Sequence, residues 1–192
     1  MTLSQAALTQ PNNHLWSVAN YHHMVEAGIL SDCHVELLQG KIVDRTPEGP
    51  LHTHSGEGTA QFLRQHLQGQ TWIREAHPIT LNTSKPEPDL AIVRLPWSQY
   101  RQRHPDPSEV YWLIEISDSS IAIDSGYKLK IYTSAGIPEY WIVNLRKQQV
   151  SVYRQPESEH YRSVETYQDG ELTPLAFPTL RVSVSLLLAQ EV

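Results

Sequence analysis

Val110-Tyr111-Trp112-Leu113-Ile114-Glu115-Ile116 reads as a strand buried on both faces, and Glu139-Tyr140-Trp141-Ile142-Val143-Asn144 reads as another. Apolar side chains fill both alternating sets of positions, the pattern of a strand covered on two sides. Between them, residues 125–135 carry a helical pattern that stops at Gly136. Strand, helix and strand in that order give a right-handed crossover between parallel strands. Upstream, residues 34–38 and 41–45 form a hairpin closed by Gln39-Gly40, and Thr46-Pro47-Glu48-Gly49-Pro50 is turn chemistry. Ser17 caps a helix reaching about Ala27, with Val18, Tyr21 and Val25 on one face and Gly28 as its stop. Residues 54–68 form a second helix, weakened in its first turn by Gly56 and Gly58. Residues 71–76, 79–81 and 89–95 read as strands, and 96–108 as a proline-dotted surface loop or short helix. Residues 150–154 and 161–166 follow as antiparallel edge strands, with a closing helix at 186–189. The fold class is α/β (α+β), a mixed β-sheet core flanked by helices. Residues 1–14 are expected to be a flexible tail, and 15–192 a single domain.

A chain of 192 residues and 21.9 kDa buries about 70% of its unfolded surface, enough for a core without staples. The single cysteine, Cys33, excludes an internal disulfide framework and any multi-cysteine metal site. No apolar run approaches the roughly 20 residues that span a bilayer, and the first residues lack the pattern of a signal peptide. A cytoplasmic location is the expectation, with no membrane partner. No phosphate-cradling glycine loop and no G-x-S-x-G elbow is present, and no organic cofactor is expected. The net charge of −6 argues mildly against a nucleic-acid partner, unless the acids are gathered to hold a metal.

Three acids stand where the pattern calls for apolar residues. Glu36 interrupts Val35-Leu37-Leu38, Asp89 opens Leu90-Ala91-Ile92-Val93, and Glu115 lies within the most apolar run of the chain. A buried carboxylate costs several kcal/mol unless it is paired or holds a cation. Two accounts fit each acid: a Lys or Arg partner, or a shared divalent ion. Acids at the ends of neighbouring strands make an oxygen-donor site for Mg²⁺ or Mn²⁺. Lys128, on the helix after the Glu115 strand, is the candidate cation for the nucleophile, the alternative being an ordinary solvated lysine.

The segments Glu87-Pro88-Asp89-Leu90-Ala91-Ile92-Val93 and Leu113-Ile114-Glu115-Ile116-Ser117 resemble the motifs of the PD-(D/E)-x-K nuclease superfamily. The chain is more closely similar to its Uma-type branch, a restriction endonuclease family of bacteria. That branch has the run Asp124, Lys128, Tyr132 and Gly136-Ile137-Pro138-Glu139-Tyr140-Trp141-Ile142-Val143, after an early Glu36-Leu37-Leu38-Gln39-Gly40-Lys41-Ile42-Val43. The resemblance spans about 36–144, and it rests on the order and spacing of the motifs together. It implies Asp89 and Glu115 as metal ligands for Mg²⁺ or Mn²⁺ and Lys128 as the catalytic lysine. It also implies Glu36 as an auxiliary acid, Tyr132 as an auxiliary residue and a histidine opening the second helix, where His54 fits better than His52. The superfamily's usual lysine, two residues after the glutamate, is Ser117 here. The Uma-type branch places it on the following helix, as Lys128 is.

A metal-dependent endonuclease acting on DNA, as a homodimer because two strands need two sites, is thus what the resemblance implies. The alternative is a catalytically inactive nuclease-fold module binding DNA or protein. A third reading, a structural oligomer, draws on Tyr153, Tyr161 and Tyr167 as an apolar face. His52 and His54 lack a third soft ligand for zinc, His22 and His23 read as solvated, and Cys33 has no activating neighbour. Asp124 reads as the cap of the Lys128 helix. Arg74, Lys85, Arg94, Arg101 and Arg103, with Lys128 and Lys130, are placed to flank a metal cleft, while acids gather toward the C-terminus.

Overall fold

The structure is a computed structural model, and it describes residues 14–190. The tail expected over 1–14 lies outside the described residues except for His14. A six-stranded mixed sheet runs in the order β3 (Trp72–Glu75), β4 (Leu90–Val93), β5 (Val110–Ser117), β6 (Glu139–Asn144), β7 (Gln149–Glu157), β8 (His160–Tyr167). Only β5 and β6 are parallel; every other neighbouring pair is antiparallel. The helix between β5 and β6 makes the expected crossover. Here β7 is internal rather than an edge strand, because β8 pairs along its outer side.

Alternation along β5 sorts its side chains into two cores. Trp112, Ile114 and Ile116 face α2 (Pro50–His66) and the closing helix α4 (Val184–Leu187). Leu113, and with it Glu115, faces the crossover helix, where Ile131, Tyr132, Ile137 and Tyr140 pack. The hairpin β1 (Val35–Leu38) and β2 (Lys41–Asp44) sends Leu38 into this second core. Its other face, Val35 and Leu37, packs under Tyr21 of α1 (Val18–Glu26). Hence Glu36, next to Leu37 in a strand of period two, points to the crossover-helix side. The hairpin turn uses positive φ at both Gln39 and Gly40, as the Gln-Gly pair predicts.

Four expectations change. α2 begins at Pro50 rather than residue 54, and its glycines lie inside it. A Cβ on Gly56 would meet Ile116 Cδ1 at 3.3 Å, so glycine lets the helix approach β5 closely, and packing outweighs its low propensity. Residues 79–81 are not a strand. Ile79 N bonds Pro86 O and Leu81 N bonds Ser84 O, so these apolar side chains belong to a buried loop whose prolines cannot continue a ladder. The crossover helix starts before residue 125, as a π-type turn, Ile123–Lys128, running into α3, Leu129–Ser134. Finally, Tyr161 is buried with its hydroxyl on Ile137 O, and Tyr153 packs against Tyr140, so these rings do not form an outer apolar face. Among the described residues no helix is long and apolar enough to cross a membrane.

Candidate active site

The register Leu90↔Ile114 sets Asp89, just before β4, beside Glu115 near the end of β5. Asp89 is fixed there because its Oδ2 accepts a hydrogen bond from Ile116 N at 2.6 Å. Glu115 is 2% exposed, and its Oε1 accepts from Lys128 Nζ at 3.0 Å and from the Tyr132 hydroxyl at 2.8 Å. Lys128 is 5% exposed, not a solvated helix lysine. Its Nζ also lies 3.4 Å from Glu36 Oε1 and 3.9 Å from Asp124 Oδ1. The other oxygen of Glu36 accepts from Glu87 N at 3.0 Å. One ammonium thus sits among three buried carboxylates from the hairpin, β5 and the crossover helix.

Asp124 is therefore no helix cap. The helix begins upstream of it, and the side chain turns inward, taking hydrogen bonds from Ser117 Oγ and Ser120 Oγ at 2.6 Å each. The π-type turn, in which Leu129 N bonds Asp124 O, puts Asp124 and Lys128 on one inward face. Ser117, where the superfamily has its lysine, faces the same cluster and holds Asp124, while Lys128 fills the space from the helix.

Electrostatics follow from burial. Burial pushes the Glu115 carboxyl well above its usual range; Lys128 opposes this, and Asp124, Asp89 and Glu36 add to it. Asp124 is raised for the same first reason, against Lys128 and its two serines. Burial alone would lower Lys128, but Glu115, Glu36, Asp124 and Asp89 outweigh it and hold the ammonium charged. Burial and the Glu115 charge also raise the Tyr132 phenol, which stays a neutral donor.

Glu36, Asp89, Glu115, Asp124 and Lys128 line one cleft of about 60 Å³. His52 lines it too: Nε2 lies 3.2 Å from Asp89 Oδ2, and Nδ1 is buried without a hydrogen-bond partner, 3.6 Å from Glu48 Oε2. Burial lowers the His52 imidazole, but the Asp89 carboxylate beside it more than reverses the effect. Donor atoms of Glu48, His52 and Asp89 lie within 4.8 Å of one another. His54 is exposed and does not join the cleft. Residues two apart on a helix point to nearly opposite sides. Stepping back from buried Leu63 through Ala60, Thr59, Gly56 and Ser55 reaches His52, so periodicity identifies the inward histidine. Glu48 lies four residues before it, in the turn that opens the helix.

The expected basic flank is not there. Seven of the sixteen cleft residues are acids, and its lasting cations are Lys128 and Arg45. Arg45 is paired with Glu87 at 3.0 Å. Arg74, Lys85, Arg94, Arg101, Arg103 and Lys130 do not line it.

A structure described as "a putative nuclease belonging to DUF820" from Anabaena variabilis aligns with 81% of this chain and 89% of its own. Identity is 18% and the TM-score 0.62, a likeness of fold. No curated protein matches the chain. The model of the Uma2 family, described as "Putative restriction endonuclease", matches residues 18–185. With that match covering most of the sequence, the chain belongs to the Uma2 family.

Proposed function

We propose that the protein is an endonuclease that hydrolyses DNA phosphodiester bonds with Mg²⁺ or Mn²⁺. The observation that carries this reading is the convergence of Asp89, Glu115 and Lys128 in one cleft from three separate elements. The residues fit a divalent ion: the donors are carboxylates with one imidazole whose buried Nδ1 is orphaned, a set suited to Mg²⁺ or Mn²⁺. A divalent ion in this cleft supplies Lewis acidity, lowering the pKa of water and neutralising charge that develops on a phosphate.

The chain's own groups have distinct tasks in this proposal. Asp89 and Glu115 hold the ion, with Glu48 and His52 as further donors. Both protein hydrogen bonds to Glu115 go to Oε1, which leaves Oε2 for the cleft. Lys128 donates to the attacking water and to the phosphate oxygens, and Glu36 positions its ammonium. Tyr132 positions Glu115. Cutting both strands calls for two sites, so a homodimer in the cytoplasm, each copy acting through residues 15–192 as one unit, completes the proposal. A Lys128 far from the acids together with absence of metal binding would favour the inactive-module alternative, and the 3.0 Å contact of Lys128 with Glu115 supports the catalytic reading.

Nicking of supercoiled plasmid tests the assignment. The wild-type chain is expected to convert it with Mg²⁺ or Mn²⁺ but not with a chelator, and Asp89→Ala and Glu115→Ala to lose at least about 10³-fold. Activity that persists in both variants would sink it. His52→Ala should cost about 10- to 100-fold, as loss of a supporting ligand does, while His54→Ala stays within about twofold. Equal effects of the two histidines, measured in the same assay, would remove His52 from the site.

A further inference from the structure

The basic residues missing from the acidic cleft gather elsewhere. A second cleft, of about 540 Å³, opens beside α1, lined by His22, Thr80, Lys85, Tyr100, Arg101 and His104 among others. No residue lines both clefts. Lys85 N bonds Leu37 O, on the hairpin face that packs under α1, whereas Glu36 faces the other way.

Two buried cations serve this cleft with no carboxylate in ion-pair contact, although exposed Glu26 lies on its rim. Lys85 is 7% exposed, and the polar contact of its Nζ is His22 Nε2 at 2.6 Å. Arg74 is 8% exposed; its Nη2 reaches Pro78 O at 3.3 Å and His104 Nδ1 at 3.0 Å, and its Nε is buried without a partner. Neither forms an ion pair among the described residues. The acids on the cleft rim are exposed, and Asp106 is engaged in capping Ser108. Arg103 is engaged by Glu109. A buried cation without an ion-pair partner is costly, and Lys85 in the wall of the cleft with Arg74 behind His104 describes a site suited to an anion.

The donors are already arranged. Arg74 donates to His104 Nδ1, which leaves the neutral imidazole its proton on Nε2. Burial, then the charges of Lys85, Arg74 and His22, push His104 down to about 4, so it remains this neutral donor at pH 7. Burial likewise lowers Lys85, against the pull of the Glu87 and Glu26 charges.

We propose that this cleft binds a phosphate oxyanion, seated on Lys85 Nζ and the imidazole N–H of His104. Arg74 positions His104, and exposed Arg101 closes the rim. The phosphate comes from a small phosphate ester such as a nucleotide, or from a DNA backbone lying across the cleft. The site is independent of the nuclease reading.

Calorimetric titration of the full, metal-free chain with inorganic phosphate tests it. Saturable one-to-one binding is expected, weakened about tenfold or more in Lys85→Met and in Arg74→Met, and unchanged in Asp89→Asn. Thermal melts guard against misfolded variants. Lys85→Met should melt above the wild type in phosphate-free buffer, because it removes an unpaired buried charge, and phosphate should raise only the wild-type Tm. Displacement of phosphate by a mononucleotide assigns the site to small esters, and displacement by a short duplex alone assigns it to the DNA backbone. Absence of saturable binding by phosphate, or equal binding by both variants, overturns the proposal.

Discussion

Lys128→Met is expected to destabilise the metal-free protein by about 3–5 kcal/mol at pH 8, the cost of removing one partner from a buried ion cluster. For a chain of this size that lowers Tm by about 10 °C. Methionine keeps the length and apolar stem, so the loss reports the ammonium alone. Without it, Glu115, Glu36 and Asp124 face one another in a nearly dry cluster. The sign of the pH dependence follows. Burial raises the folded-state pKa of Glu115 and Asp124 above their unfolded values, so the folded protein holds these protons more tightly. Stability from this source is full below the unfolded values, about 4, and is lost as pH rises through the raised ones. Lys128 opposes both shifts, so its removal extends that loss to higher pH. The Tm gap between wild type and Lys128→Met should therefore be small near pH 5 and large near pH 8 in chelator. Differential scanning calorimetry across that range checks it, and a gap independent of pH would show that Lys128 does not compensate the acids. With Mg²⁺ present, the variant should also lose at least about 10²-fold in nicking rate.

Much of the fold is written locally. Val110–Ser117, the π-type turn with α3, and Glu139–Asn144 form the parallel unit their patterns predict, and Gln39-Gly40 closes its hairpin. What local pattern could not supply depends on neighbours distant in sequence. Residues 79–81 alternate like a strand, yet their backbone bonds turn back onto Ser84 and Pro86. Gly56 reads as a helix breaker until Ile116 is seen packed against it. The acids Asp89, Glu115 and Glu36 are conspicuous because each violates an apolar run. His52 and Glu48 violate nothing, since polar residues at a helix start are ordinary, and only the periodicity of α2 separates His52 from His54. The charge balance was misleading for a related reason. The acids concentrate in one cleft and the unpaired bases in another, so neither sum nor sequence position reports the field at either.

Glu139 shows the other fate of a buried strand carboxylate, and Glu139→Ala carries the second large expected effect. It opens β6 and is 0% exposed, as deeply placed as Glu115. Its Oε1 accepts from Arg154 Nε at 2.8 Å, Arg154 Nη2 at 2.7 Å and Trp141 Nε1 at 2.8 Å, and its Oε2 accepts from Leu175 N at 2.7 Å. Four protein hydrogen bonds, two of them from one guanidinium, thus hold this carboxylate, which makes it a structural ion pair. Alanine strands a guanidinium, a buried indole N–H and a backbone amide together, at a cost of about 3–5 kcal/mol and about 10 °C in Tm. Glutamine does not rescue it, because one end of the amide would turn N–H groups toward donors; about 2 kcal/mol is expected. The register places Glu139 three residues from Ile142, the partner of Glu115, roughly 10 Å along the strand. Folded Glu139→Ala should therefore nick plasmid at near wild-type rate well below its Tm, and Mg²⁺ should leave its Tm deficit unchanged. Glu115→Gln should behave in the opposite way, with activity abolished and any Tm gain from Mg²⁺ reduced. Melting both variants with and without Mg²⁺ separates the roles; a deficit in Glu139→Ala that Mg²⁺ changes would place Glu139 in the metal site after all.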